Sequence, residues 1–530
     1  MRSLLLPLIL ILALSGCGSL PPRGDTPPSQ ALAAADSAAT PLGRLATGQR
    51  PAGVPATASG FRLLPSGEFA LDARLALIHQ AQRTLDLQAY HLHPDASGRS
   101  LLRALRDAAA RGVRVRLLVD DAHAAEVLPL LAGLALQPQA EVRLFNPLSL
   151  RHGPALWRIA ASRGEFERNH RRMHNKLLLA DGVAAVFGGR NLADEYFMHN
   201  AQTNFIDMDL LGLGPVGLAL GAVFDRYWNS EQAWPLDRLR ALPADAADQA
   251  ALRAGFDAAL GEARPPLPAA LRDPLQQAPL SADLALRPGP GTLALAWAEA
   301  RVHADPPEKA ARLEPRREPT EAMAGLLQAM SGARQSVAIV SPYFVPDDAA
   351  MAMMAQARRH GVKLILVTNS LASTDEPLVH AAYARRRPAL LKLGVEISEI
   401  GPALVQRSRQ FGSFGRSTPR LHAKVAIVDQ RQVLVGSVNL DARSAVGNTE
   451  MGLVIDSPAL AAQLQQLLSA SGGPSTALYR LRLAADGQTI EWLTLDAEGR
   501  PGVLGDEPDD DAWQRLLRWL QGLLVEERLL

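Results

Sequence analysis

Apolar and polar positions along the chain fall into two repeated units. Thr84 to Tyr90 alternates with period two and predicts a strand, Gly98 to Arg111 carries its apolar residues at helical spacing, and Val113 to Val119 is a short apolar run that predicts a buried strand. A helix over Leu75 to Ala81 precedes them. The same order returns later: a helix over Thr320 to Met330, a strand over Ser336 to Tyr343, a helix over Asp347 to His360 and a strand over Val362 to Val367. Aligned, the units read RTLDLQAYHLHPD…RGVRVRLLV and RQSVAIVSPYFVPD…HGVKLILV. The chain is an internal duplication of strand-helix-strand units, which places it in the α/β class.

Each unit leads, at nearly the same distance, to a second matching segment. From Gly112 to His174 is 62 positions, and from Gly361 to His422 is 61. The segments are Met173-His174-Asn175-Lys176, followed by Asp181 and Gly188-Gly189-Arg190-Asn191, and Leu421-His422-Ala423-Lys424, followed by Asp429 and Gly436-Ser437-Val438-Asn439. In both, His stands two before Lys, Asp five after it and Asn ten after the Asp. Only five of the 55 basic residues are lysines, and two of the five sit here. A compact ammonium on a flexible stem suits contact with a phosphoryl oxygen, where a guanidinium fork would demand another geometry.

His-x-Lys is predicted to open a strand in each copy, over His174 to Ala180 and His422 to Val428, with both side chains on one face. Two such motifs supply one imidazole to attack phosphorus and one to protonate the departing alkoxide. Lys176, Lys424, Asn191 and Asn439 would hold the non-bridging oxygens. This chemistry requires no metal, and the His, Asp and Glu spacings do not match a zinc or two-metal cluster.

These residues resemble the phospholipase D superfamily, whose signature of HxK, four residues, D, six residues and GSxN occurs in two copies. The likeness spans roughly Phe61 to Leu468. It implies two tandem domains, each a mixed β-sheet flanked by helices, related by a pseudo-twofold axis with the site at their interface. It also implies a phosphohistidine intermediate, with His174 as nucleophile and His422 as acid and base. Members orient each His with an acidic residue downstream, which points to Asp207 for His174 and Glu450 for His422. Asp207 also fits a plain turn residue. Asp181 and Asp429 belong to the signature and are expected to close turns, and Ser437 stands where the first copy has Gly189.

The Gly-Gly-Arg-Asn form, HRRMHNK before it, DEYF after it, FDRYWNS at Phe224 to Ser230 and SPYFVP at Ser341 to Pro346 are similar to the C-type bacterial cardiolipin synthases. That resemblance implies transfer of a phosphatidyl group to phosphatidylglycerol, with phosphatidylethanolamine as a possible donor and no cofactor. The alternatives are hydrolysis of phosphodiesters in lipid or DNA by the same His pair, or a noncatalytic lipid-binding scaffold.

At 530 residues and 48% hydrophobic the chain can bury more than one core, and its net charge of +1 lacks the basic excess of nucleic-acid binders. Residues 1–17 combine an early Arg, an apolar run too short to span a bilayer and Leu14-Ser15-Gly16-Cys17, which resembles a lipoprotein signal with Cys17 as its lipidation site. Gly18 after the cysteine implies outer-membrane sorting in a Gram-negative cell, facing the periplasm. Residues 18–60, rich in Pro, Ala, Gly, Ser and Thr, are expected to form a disordered tether.

The expected division continues with a first domain over 61–242, a Pro-rich linker or packed excursion over 243–319, a second domain over 320–475, and a hairpin with an amphipathic helix over 476–530. His91 and His93 are expected to be structural histidines near the mouth of the site.

Overall fold

A computed structural model describes residues 20–148, 170–286, 289, 291–311, 319–408, 414–469, 478–495 and 499–508. The expected lipidation site at Cys17 and the amphipathic helix over 511–530 lie outside these residues. Among the described residues no helix is long and apolar enough to cross a membrane.

The first half builds strands β1 (Ser59–Leu64), β2 (Thr84–Ala89), β3 (Arg114–Asp120), β4 (Ala140–Phe145), β5 (Leu177–Ala180), β6 (Ala184–Gly188), β7 (Thr203–Ile206), β8 (Asp209–Leu213), β9 (Ala233–Pro235) and β10 (Ala296–Ala298). All but β7 form one sheet in the order β10-β1-β8-β6-β5-β2-β3-β4-β9. The second half builds β11 (Ala300–Ala304), β12 (Ser336–Val340), β13 (Lys363–Asn369), β14 (Glu396–Ile400), β15 (Thr418–Leu421), β16 (Val425–Val428), β17 (Gln432–Gly436) and β18 (Met451–Asp456). Three more strands, β19 (Leu478–Leu483), β20 (Ile490–Leu495) and β21 (Pro501–Leu504), complete a sheet ordered β11-β18-β17-β16-β12-β13-β14-β19-β20-β21. The run β8-β6-β5-β2-β3-β4 matches β18-β17-β16-β12-β13-β14 strand for strand, as the duplication requires. The tail hairpin expected from the sequence is a three-stranded extension of the second sheet.

The same local chemistry sets both copies of the strand-helix-strand unit. Asp95 accepts from Gly98 N at 3.0 Å and caps the helix Ala96–Ala110; Asp347 accepts from Ala350 N at 2.7 Å and caps Asp348–Arg359. Gly112 at φ +90 and Gly361 at φ +80 then turn the chain out of each helix in the left-handed conformation. Asp181 and Asp429, at φ +49 and +51, close the β5–β6 and β16–β17 turns. Asp181 also accepts from the backbone N–H of Gln82, Arg83 and Thr84, and Asp429 from Arg334, Gln335 and Ser336, so each signature Asp ties its turn to the start of the neighbouring strand.

The sheets pack face to face. Along β5 the side chains alternate between cores: Leu178 and Ala180 join the first half's own cluster, while Leu177 and Leu179 join a central cluster shared with Val425, Ile427, Val433 and Leu453 of the second half. This common core holds the two halves, and therefore the two motifs, together.

One expected segment is corrected, and between two alternatives for another the structure takes one. Residues 20–60 are not a disordered tether. Ala31 N donates to Asp225 Oδ2 at 2.8 Å, Arg116 Nη1 to Ser29 O at 3.0 Å, and the helix Pro41–Gln49, capped by Thr40, buries Leu42 and Ala46 on the first domain. Composition alone misread this segment, because its few apolar residues meet a surface that only the folded domain provides. The described residues of 243–319 form the packed excursion rather than a loose linker: the helix Ala246–Leu260 lays Phe256 against Gly133, and Ser281 N donates to Asp72 Oδ2 at 3.0 Å. It then passes from β10 at the edge of one sheet to β11 at the edge of the other.

Candidate active site

Both His-x-Lys triplets sit just ahead of β5 and β16 rather than inside them. Each is pinned by the opposite half. His174 N donates to Thr449 O at 2.9 Å, beside a bridge from Met173 to Thr449; His422 N donates to Ile206 O at 2.8 Å, at the end of a parallel ladder between β15 and β7.

These reciprocal contacts cross the carboxylates over. His174 Nδ1 donates to Glu450 Oε2 at 3.0 Å, and His422 Nδ1 donates to Asp207 Oδ2 at 2.6 Å. The pairing expected from the sequence, Asp207 with His174 and Glu450 with His422, is therefore reversed. Sheet order gives the reason. Within one half β6 lies between β5 and β8, and β17 between β16 and β18, so the carboxylate starts about 9.5 Å from its own histidine's strand. The opposite half brings the partner directly alongside.

All of these groups are buried. Burial lowers His174 to about 4, against the pull of Glu450, and burial with the Lys424 charge lowers His422. Burial would raise Asp207, but His422, Lys424 and Arg190 hold it at about 2; His174 and Lys176 likewise keep Glu450 below the ordinary carboxylate range. These shifts favour neutral imidazoles and ionised carboxylates. A neutral ring that donates through Nδ1 presents its Nε2 lone pair to the site.

The lysines carry the opposite imbalance. Lys176 Nζ donates to His174 O at 2.7 Å and Lys424 Nζ to His422 O at 2.5 Å, yet among the described residues neither ammonium has a carboxylate within ion-pair distance. Each lies near a tyrosine face, Lys176 5.2 Å from the Tyr90 ring and Lys424 5.9 Å from the Tyr343 ring. Burial lowers both, Lys176 to about 7. Two buried amines without a direct ion pair among the described residues gain their full charge when an anion binds, and so make a receptor for one.

Asn191 and Asn439 each bury an Oδ1 without a hydrogen-bond partner among the described residues. Asn191 Nδ2 lies 2.8 Å from Tyr196 Oη, and a half-turn of the amide would let the phenol donate to Oδ1 and free Nδ2 for a phosphoryl oxygen.

The Gly-for-Ser departure in the first motif has a steric cause. A Cβ on Gly189 would stand 2.1 Å from Asp207 Oδ1, so the shorter carboxylate occupies the space that the second copy gives to a side chain. There Ser437 Oγ donates to the longer Glu450, which also accepts from Ser444 Oγ at 2.7 Å.

Behind Glu450, Asp305 accepts its N–H at 3.1 Å and pairs with Lys309 at 2.7 Å. Ser444, Asp305, Tyr90, Tyr196 and Tyr343 were missed as site residues. Tyr90 and Tyr343 stood one position out of register in QAYHLHPD and SPYFVPD, and Tyr196 in DEYF, so an aromatic after the first strand of each unit was the available signal; Asp305 had none. His91 and His93 lie close to this edge, their rings 5.8 Å apart, with His91 4.9 Å from His123.

Fold and site together define a double phospholipase D-like α/β protein. The family described as cardiolipin synthase, PLD-like domain, matches residues 75–228 and 326–471. The chain is 37% identical to cardiolipin synthase C of Escherichia coli (strain K12) over 470 residues, covering 87% of this chain and 94% of that protein. It is 27% identical to cardiolipin synthase A of Pseudomonas entomophila (strain L48), over 77% of this chain and 67% of that one. The crystal structure of phosphatidylserine synthase from Haemophilus influenzae Rd KW20 shares the fold, with a TM-score of 0.54 at 13% identity across 97% of this chain and 98% of that one. The chain belongs to the cardiolipin synthase family of phospholipase D-like proteins.

Proposed function

We propose that this chain is a phosphatidyltransferase that makes cardiolipin from phosphatidylglycerol and a second phospholipid through a phosphohistidine intermediate. The observation that carries the reading is the pair of imidazoles, each aligned by a carboxylate of the opposite half, beside two buried lysines with no carboxylate in ion-pair contact among the described residues. A phosphodiester supplies the missing negative charge. Lys176 and Lys424 then meet its non-bridging oxygens and stabilise the charge that grows on them.

We assign His174 as the nucleophile and His422 as the proton carrier. Glu450 divides its charge among His174, Ser437 and Ser444, whereas one oxygen of Asp207 serves His422 alone at 2.6 Å. An imidazolium is therefore better supported on His422. With the phosphodiester bound, His422 takes up a proton and stands as the imidazolium supported by Asp207; in the first step His174 Nε2 attacks phosphorus, the P–O bond to the leaving alcohol breaks, and His422 gives its Nε2 proton to that oxygen. In the second the acceptor hydroxyl attacks phosphorus, the P–N bond returns its electron pair to His174, and His422 takes the proton.

Purified protein given vesicles of phosphatidylglycerol, with and without phosphatidylethanolamine, is expected to form cardiolipin, followed by lipid mass spectrometry. Phosphatidic acid as the sole product would make the protein a phospholipase instead. We also propose that Cys17 is lipidated and anchors the protein at a membrane surface, with the site facing the periplasm; the lone cysteine at the end of an apolar leader supports this.

A further inference from the structure

We propose that Asp375 is the acceptor-recognition residue of this site: it takes a hydrogen bond from the second hydroxyl of a diol acceptor and so favours transfer to an alcohol over transfer to water. The inference rests on the phosphatidyltransferase reading above and specifies the residue that chooses the acceptor.

The argument starts from direction. In-line displacement at phosphorus makes the leaving alcohol depart opposite His174. The acceptor returns along the same path, because His422 must give a proton in one step and take it back in the next. Selectivity between alcohol and water is therefore decided on the His422 side.

The duplication shows what is special about that side. After β3 the chain turns through Asp121–His123, and after β13 it turns through Leu371–Ser373, on equivalent loops. Tyr90, 5.2 Å from Lys176, and Tyr343, 5.9 Å from Lys424, flank the two lysines from neighbouring positions of the aligned units, and each points its phenol at a group on these loops. In the first half that group is an imidazole, with Tyr90 Oη 3.0 Å from His123 Nε2. In the second it is a carboxylate, with Tyr343 Oη donating to Asp375 Oδ2 at 2.8 Å. The pseudo-twofold symmetry is broken here, on the side where the acceptor arrives.

Asp375 has a vacant edge. Its Oδ1 is buried and has no hydrogen-bond partner among the described residues. Its bond to Tyr343, whose ring lies 5.9 Å from Lys424 Nζ, places it at the border of the reacting centre, within electrostatic reach of His422 and Lys424. A buried carboxylate oxygen without a donor is a demanding acceptor, and a hydroxyl answers it. The glycerol headgroup of phosphatidylglycerol carries two neighbouring hydroxyls. One attacks phosphorus, and the other donates to Oδ1. Water, with a single oxygen, cannot do both.

The test reads the partition of the covalent intermediate in vesicles of phosphatidylglycerol and phosphatidylethanolamine. The ratio of cardiolipin to phosphatidic acid is set after the common intermediate, so it does not depend on how much active enzyme each preparation contains. Asp375→Asn, which is isosteric, and Asp375→Ser are expected to lower the ratio about tenfold or more. Glu376→Gln, which removes the neighbouring carboxylate charge, is expected to keep it within twofold. A ratio within twofold of wild type in both Asp375 variants overturns the proposal, as does an equal fall in Glu376→Gln. Loss of both products in folded Asp375 variants overturns it too, because the residue would then serve catalysis in general. A wild type that makes phosphatidic acid and no cardiolipin overturns the transferase reading itself, and this proposal with it.

Discussion

Replacing Gly189 by alanine tests the crossed geometry with a single methyl group. The new Cβ would lie 2.1 Å from Asp207 Oδ1 and 2.8 Å from its Cγ, about 1 Å inside the closest tolerable carbon–oxygen contact of roughly 3.2 Å. Asp207 has little room to retreat: it is buried, Oδ1 accepts from Met208 N at 2.7 Å, and its carbonyl accepts from Arg190 Nη2 at 2.5 Å. The carboxylate must swing away and take its bond to His422 with it.

A displacement of about 1 Å at a group that aligns a reacting residue costs about a hundredfold in kcat, and overpacking costs about 1–3 kcal/mol in stability. Ser437→Gly, the reverse exchange in the other half, only removes a hydroxyl from Glu450, which keeps Ser444 and His174; about tenfold is expected. Initial rates of cardiolipin formation and thermal melting measure both quantities. Combining Gly189→Ala with Asp207→Asn should add little to Asp207→Asn alone, since both act on one contact. A Gly189→Ala enzyme within threefold of wild type, with an unshifted melt, would refute the reasoning.

Asp181 and Asp429 should matter for stability and not for chemistry. Asp181→Ala strands three backbone N–H groups at a buried turn and is expected to cost about 2–4 kcal/mol, Asp429→Ala about 1 kcal/mol at its more exposed turn, with kcat per folded molecule unchanged in both by melting and active-site titration. Burial holds Lys176 near 7 in the folded protein against 10.5 unfolded, so between these values the unfolded chain binds more protons and stability rises with pH. An anion needs the charged form, so stabilisation by sulfate should weaken as pH rises from 6 to 9, by up to tenfold in affinity per pH unit above 7. Lys176→Met should flatten that dependence; a wild-type sulfate effect independent of pH would contradict the assignment. Cys17→Ser is expected to shift the protein from the membrane to the soluble fraction and to abolish incorporation of labelled fatty acid; an unchanged membrane fraction would count against the anchor.

Much of this was legible in the chain because it is local. Strand and helix periodicity and the spacing from His to Lys to Asp to Asn all act within a few residues, and duplication printed them twice. The positions of His174, Lys176, His422 and Lys424 followed from that repetition. The residues that complete the site are not local. Which carboxylate serves which imidazole was decided by sheet order, because a strand intervenes within each half and the opposite half closes the gap through β7, β15 and the Met173–Thr449 bridge. The ordering of 20–60 was likewise settled by surfaces that exist only after folding. Sequence determined the chemical parts and their twofold repetition; the tertiary structure alone decided how they pair, because a hydrogen bond depends on distance in space and the motif records only distance along the chain.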